Sequence, residues 1–249
     1  MFLDGIQNEK NIMNYLFGKR IREVNEFWQQ NLKIMFPEAD DTSVITVRYV
    51  PNYVGCKTDI EIKIGNEVKN ISIKSGKMPH IHQEKLSSFL DFLKNEGISD
   101  RTVNFVAFYL YADGTLNGTG TKKYKAIDIQ SKFQNRLKEA SNELSEHDFA
   151  RKLLYRSVVK GSKENRKEID YVYYGDENHG FSLSKEKILD NFPYKKTDHF
   201  KTLHGGPLIL MKTSKHVVDN NTNQKDITYV QIRWPSLVLD FNKICEKQA

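Results

Sequence analysis

Between Lys57 and Lys74, isoleucines alternate with polar residues on both sides of a Gly65-Asn66 pair. A period of two marks a half-buried strand, and a glycine–asparagine step between two such runs signals a hairpin. A two-residue turn sets Ile64 opposite Glu67, and counting outwards sets Asp59 opposite Ser72. Successive side chains point to opposite faces, so Ile60, Ile62, Ile71 and Ile73 share a core face. Asp59, Glu61, Lys63, Ser72 and Lys74 share the other. A carboxylate, a hydroxyl and an amine thereby meet at one end of the hairpin. A turn one residue longer would undo this register.

The rest of the chain predicts an α/β or α+β fold. Apolar residues at three- and four-residue steps (Phe17, Ile21, Val24, Trp28, Leu32, Met35) predict one long helix from about Glu9 to Met35, weakest at Gly18 and ended by Phe36-Pro37. Ser43–Tyr49 reads as a strand, His82–Asn95 as an amphipathic helix, and the aromatic run Val103–Tyr111 as a strand. Gly114–Thr121 reads as a loop and Ile127–Lys160 as mostly helical. A short strand is expected at Tyr171–Tyr174, then a helix over Lys185–Asn191 capped by Ser184. Leu208–Lys212 and Ile227–Trp234 read as strands joined through the polar loop Asp219–Gln224, and Leu237–Lys247 as a closing helix. A composition shift near residue 122 divides the chain into 1–121 and 122–249.

Composition narrows the function classes. Hydrophobic residues make up 39% and charged residues 28% of the 249, a globular balance that excludes the disordered class. The two cysteines, Cys56 and Cys245, lack the spacing of a zinc site or a disulfide framework. No apolar run approaches the roughly 18 residues of a membrane span, and Asp4 precedes any apolar run. A cytoplasmic location is therefore expected. The net charge of +6 favours a polyanionic partner.

The polar face of the hairpin suits phosphodiester hydrolysis. Asp59, with the backbone carbonyl of Ile73, offers oxygen ligands to Mg²⁺, a hard cation. Lys74 can orient the attacking water and stabilise charge developing on phosphorus. Asp, Glu and Lys on one hairpin face are also the pattern of solvated cross-strand ion pairs.

Asp59 followed by Ser72-Ile73-Lys74, with a helix before and a helix after, resembles the PD-(D/E)xK nuclease superfamily, across about residues 9–112. The resemblance implies a restriction-endonuclease-like core, a mixed sheet flanked by helices, with a downstream recognition region at 122–249. It implies an endonuclease of double-stranded DNA with Mg²⁺ as cofactor, of the type II restriction kind and acting as a homodimer. Asp59, Ser72, Lys74 and Glu61 would be catalytic, with Asp59, Glu61 and the Ile73 carbonyl holding the metal. Two positions depart from the pattern. Thr58 stands in place of proline, and Ser72 stands in place of the second acid. Glu61 is the first candidate to replace that acid and Glu84 the second, while Glu23 and Glu26 project away from the apolar stripe. The alternatives are a non-catalytic DNA-binding protein with a degenerate core, or a repair or RNA-directed nuclease.

DNA contacts are expected from Lys77, His80 and His82, just beyond the hairpin. A basic stretch holding Arg151, Lys152, Arg156 and Lys160 around Tyr155 adds to them. Lys212 contributes further positive charge. A turn is expected at His204-Gly205-Gly206-Pro207.

Overall fold

The computed structural model describes residues 5–51, 57–77, 79–163, 166–193, 201–217 and 225–246; Cys56 and the 219–224 loop lie outside them. The chain begins with helices α1 (Gly5–Leu16) and α2 (Glu26–Met35), followed by strands β1 (Ile45–Tyr49), β2 (Ile60–Ile64), β3 (Glu67–Lys74) and β4 (His80–Lys85). Five helices follow: α3 (Leu86–Asn95), α4 (Asp100–Tyr111), α5 (Ala126–Lys132), α6 (Gln134–Leu144) and α7 (His147–Leu154). A π-helical turn at Tyr155–Lys160 leads to β5 (Tyr171–Gly175), β6 (Gly180–Ser184) and α8 (Lys185–Asn191). The last elements are β7 (Leu203–Gly205), β8 (Leu208–Val217), β9 (Lys225–Arg233) and α9 (Leu237–Glu246).

These elements form two compact units that do not follow a single cut near residue 122. Unit 1 comprises Met1–Pro79, Tyr155–Phe192 and Ser236–Ala249; unit 2 comprises His80–Leu154 and Pro193–Pro235.

Unit 1 is built on a five-stranded sheet in the order β1-β2-β3-β5-β6. Every neighbouring pair is antiparallel except β3 and β5, so the sheet is mixed. Ile64 pairs with Glu67 and Ile60 with Ile71, the register that the two-residue turn demands. Gly65 takes φ +58, a left-handed conformation that glycine adopts without a Cβ penalty. One face of the sheet is a continuous apolar surface of Ile45, Val47, Ile60, Ile62, Ile71, Ile73 and Tyr173, packed with Ile12 and Leu16 of α1 and Trp28, Leu32 and Met35 of α2.

The long helix expected from Glu9 to Met35 is two helices. Gly18 adopts φ +78 beyond the end of α1, a 3-10 turn spans Ile21–Glu23, and Asn25 starts α2 by accepting a hydrogen bond from the Trp28 amide. Phe17, counted in the apolar stripe, is 61% exposed, because the break turns it out of the core.

In unit 2 a four-stranded antiparallel sheet, ordered β4-β9-β8-β7, is accompanied by α3 to α7. The Val103–Tyr111 run lies in helix α4, not in a strand, and β4 takes the first four residues of the expected His82–Asn95 helix. The Gly206-Pro207 turn joins β7 to β8 as a hairpin. A Cβ at Gly205 would lie 2.4 Å from the Leu153 side chain, so any larger residue there would make that leucine shift.

The start of α4 is held by Glu143 of α6, which accepts from the Ser99 amide at 2.7 Å and the Ser99 hydroxyl at 2.8 Å. Burial pushes the Glu143 carboxyl up, but hydrogen bonds from Thr102 and Ser99 outweigh it and hold the group below its ordinary value. A depressed folded-state pKa gives stability that is present above the unfolded-state pKa and lost as pH falls through the folded one. Glu143→Gln is therefore expected to destabilise the protein at pH 7 by on the order of 1 kcal/mol after solvent screening. The Tm gap from the parent should close on acidification below the ordinary carboxylate pKa. A gap constant from pH 7 down to pH 3 would refute the assignment.

Candidate active site

The sheet of unit 1 brings three functional groups together at the start of β2 and the end of β3. Asp59 leads into β2, and its amide donates to the Ile71 carbonyl at 2.9 Å, extending the ladder by one residue. Its carboxylate is buried, and three donors converge on Oδ2. They are the Ile73 amide at 2.6 Å, the Ser72 hydroxyl at 3.1 Å and the Lys74 ammonium at 3.4 Å. Lys74 Nζ also donates to the Ile73 carbonyl at 2.9 Å. The Asp59 carboxylate and the Ile73 carbonyl thus converge on one cation, the ammonium of Lys74.

A carboxylate and a lysine at side-chain exposures of 6% and 16% are costly to keep out of water. Such a pair is weak as a stabilising device, and a hydrophobic pair of similar volume would often serve as well or better. The sheet nonetheless fixes it closely. Ser72, 1% exposed, and the Ile73 amide hold the carboxylate from below, and Lys74 closes the cluster on the more exposed side.

Glu61, the first candidate for the second acid, is already engaged. Glu61 lies on the polar side of β2, but the Arg48 guanidinium across β1 grips its Oε2, with Nε at 2.8 Å and Nη2 at 2.5 Å. Lys167 adds an ion pair at 4.0 Å. Using Glu61 as a metal ligand would cost that pairing. Glu84, the other candidate, is buried on β4 in unit 2, 3.1 Å from His82 Nε2. Glu23 reaches back to accept from the Arg20 amide at 2.9 Å and caps its own short turn.

Sequence reasoning missed Glu9. This residue of α1 is 7% exposed, and the Tyr49 phenol at the end of β1 is hydrogen-bonded to it. Burial first, then the Glu9 carboxylate through its charge and hydrogen bond, then the charge of Asp59, push the Tyr49 phenol above its ordinary value. The same end of the sheet is reached by Asn8, whose amide donates to the Gly175 carbonyl at 2.8 Å. Tyr49 therefore lies within electrostatic reach of two carboxylates, one from the helix and one from the hairpin. A glutamate on an amphipathic helix has no local signal of this kind, because only the packing of α1 on β1 reveals it.

A divalent ion can be weighed against this donor set. Among the described residues no group of three or more His, Cys, Asp or Glu side chains could hold a metal. Mg²⁺, however, is commonly held by one or two carboxylates with water and substrate phosphate completing its shell. Asp59 and the Ile73 carbonyl are both hard oxygen donors already converging on a cation, so the residues fit a weakly held Mg²⁺.

The remaining expected contacts fall in different places. Lys77 is exposed just after β3, and His80 is exposed at the start of β4. His82 is 7% exposed on β4 with Glu84 beside it, so its burial withholds it from DNA. The basic stretch is divided between the units. Arg151 and Lys152 are exposed on α7 of unit 2, and Arg156 and Lys160 are half-buried in the π-helical turn of unit 1. Lys152 is engaged by Glu96 at 2.7 Å, and that hydrogen bond raises its pKa.

Comparison of the chain with protein-family models, with curated proteins and with solved structures finds no match to any of them. No helix among the described residues is long and apolar enough to cross a membrane.

Proposed function

We propose that the chain is a Mg²⁺-dependent endonuclease of double-stranded DNA centred on Asp59 and Lys74. The observation that carries this reading is the Lys74 ammonium bridging the Asp59 carboxylate and the Ile73 carbonyl at one end of a mixed sheet. Asp59 and the Ile73 carbonyl would hold the metal, with Glu9 in place of Glu61 as the supporting acid. When bound, Mg²⁺ supplies polarisation of the scissile phosphate and a water of lowered pKa.

The chain's own residues do the remaining work. Ser72 and the Ile73 amide lock the Asp59 carboxylate in one orientation, so no reorganisation is needed on substrate binding. Lys74, on the more exposed side of the pair, is placed to turn towards the attacking water and to offset negative charge gathering on the phosphate. The finer reading, from the resemblance of the Asp59…Ser72-Ile73-Lys74 pattern, is a sequence-specific type II restriction enzyme acting as a homodimer.

A second reading is favoured by one observation. Ser72 fills the position of an acid, and no three-acid group stands among the described residues. This is the non-catalytic DNA-binding protein.

Phage DNA incubated with Mg²⁺ or with EDTA separates the two. Discrete fragments with Mg²⁺ alone are expected. A gel shift without cutting, at any Mg²⁺ concentration, would establish the binder instead. In the same assay Glu9→Gln should raise the Mg²⁺ needed for half-maximal cutting about 10-fold. An unchanged requirement removes Glu9 from the site.

A further inference from the structure

Unit 2 contains a closed loop that presents a run of exposed lysines. Asp113, just past the end of α4, accepts from the Thr115 amide at 2.9 Å, the Thr115 hydroxyl at 2.8 Å and the Gly120 amide at 2.9 Å. Thr115 Oγ1 in turn accepts from the amides of Gly118 and Thr119. The Tyr124 amide donates to the Ala112 carbonyl at 2.8 Å and closes the neck. The loop is packed tightly enough to exclude side chains at two points. A Cβ at Gly118 would lie 2.6 Å from the Tyr111 ring, and one at Gly120 would lie 2.2 Å from the Asp113 carbonyl oxygen.

The chain leaving this loop carries Lys122, Lys123 and Lys125, all exposed. Among the described residues none of the three has an ion-pair partner. Lys212 of β8 adds a fourth exposed cation at the neck, where its ammonium donates to the Tyr111 carbonyl. Burial alone would raise the Asp113 carboxyl, but hydrogen bonds from Thr115 and Gly120, helped by the charge of Lys212, hold it below its ordinary value. Some other basic groups of the unit are engaged by acids: Arg101 and Arg136 share Glu139, and Lys152 pairs with Glu96.

We infer that Lys122, Lys123, Lys125 and Lys212 of unit 2 form a track for the phosphate backbone of the nucleic acid; the identity of the ligand rests on the nuclease reading. Lysine ammonium groups are point charges without the planar fork that reads bases, so such a track sets position and affinity rather than sequence. The self-bonded loop supplies a rigid mount, which limits the ordering cost on binding.

The test is equilibrium binding of the full chain to a fluorescein-labelled DNA duplex in EDTA, where cutting is absent, across a series of NaCl concentrations. Each neutralised phosphate contributes about 0.9 to the slope of log K against log salt, so Lys122→Gln/Lys123→Gln/Lys125→Gln should lower that slope by about 2 to 3. Arg101→Gln, at a guanidinium that pairs with Glu139, should leave it unchanged, and circular dichroism should show both variants folded as the parent. A parental slope in the triple variant overturns the inference. So does parental binding to anionic lipid vesicles but not to duplex. If the slope falls yet Mg²⁺ never yields fragments, the track stands and the nuclease reading fails. If fragments form and the slope is unchanged, the track alone fails.

Discussion

Asp59→Asn is expected to reduce Mg²⁺-dependent cutting of duplex DNA by at least about 1,000-fold while leaving the fold intact, a loss of the size seen when a transition-state-stabilising group is removed. Asparagine keeps an oxygen that can accept from the buried Ile73 amide, so the β2–β3 junction retains its hydrogen bond. What it loses is the charge that would hold the metal and balance Lys74. Lys74→Met should fall to a similar level, and the double variant should be little worse than either alone, because the two groups act as a unit. Lys74→Met also strands a buried carboxylate, so it should cost stability as well, by about 3 kcal/mol where such pairs are fully buried and less here. Initial rates on plasmid DNA, with thermal melts run alongside, check both. An Asp59→Asn enzyme that nicks plasmid within about 10-fold of the parental rate would remove Asp59 from the chemistry.

Trp28→Ala should be the most destabilising single change in unit 1, by about 3–5 kcal/mol. The indole is fully buried and stacks on Tyr173 of β5, with ring centroids 4.3 Å apart and planes inclined at 23°. Truncation leaves a cavity between α2 and the strand that runs beside β3, and it strips one face from Tyr173. Burial, then the nearby Asp176 and Glu177 carboxylates, push the Tyr173 phenol far above its ordinary range, so that ring is neutral at any working pH. Urea unfolding followed by far-ultraviolet circular dichroism gives the number. A loss below about 1 kcal/mol would mean that the site collapses around the deletion or that Trp28 is not in the core. Trp28→Phe, which keeps an aromatic face against Tyr173, should recover a large part of the loss.

The hairpin was legible because its two constraints are local. Strict alternation assigns the faces, and Gly65-Asn66 fixes the register, so Asp59, Ser72 and Lys74 could be placed from the sequence. The strand expected at Tyr171–Tyr174 is present as β5, but its place beside β3 could not be read. The sequence reading took Val103–Tyr111 for a core strand because valine, phenylalanine and tyrosine favour pleated surfaces. Yet its buried positions, Thr102, Val103, Val106, Ala107, Tyr109 and Leu110, recur with a helical period, and Ser99 with Asp100 is a helix start. Propensity outweighed period in that reading, and period was the better guide. Strand β4 failed in the opposite way. The segment His80–Lys85 buries His82 and Glu84, polar side chains that give no apolar alternation to read. The break at Gly18 was visible as a weakness, but its left-handed φ, which ends the helix outright, was not.

The β3–β5 pairing has a consequence for how the protein is made. The Asn70 amide donates to the Asp170 carboxylate at 2.7 Å across a separation of 100 residues, and the chain between them builds most of another unit. During synthesis the segment bearing Asp59 and Lys74 must therefore wait, with one sheet edge open, until its neighbour leaves the ribosome. An unpaired edge invites pairing with other chains, so overproduction at high temperature should favour inclusion bodies over soluble protein. Slowing translation or cooling the culture should shift the yield towards the native form.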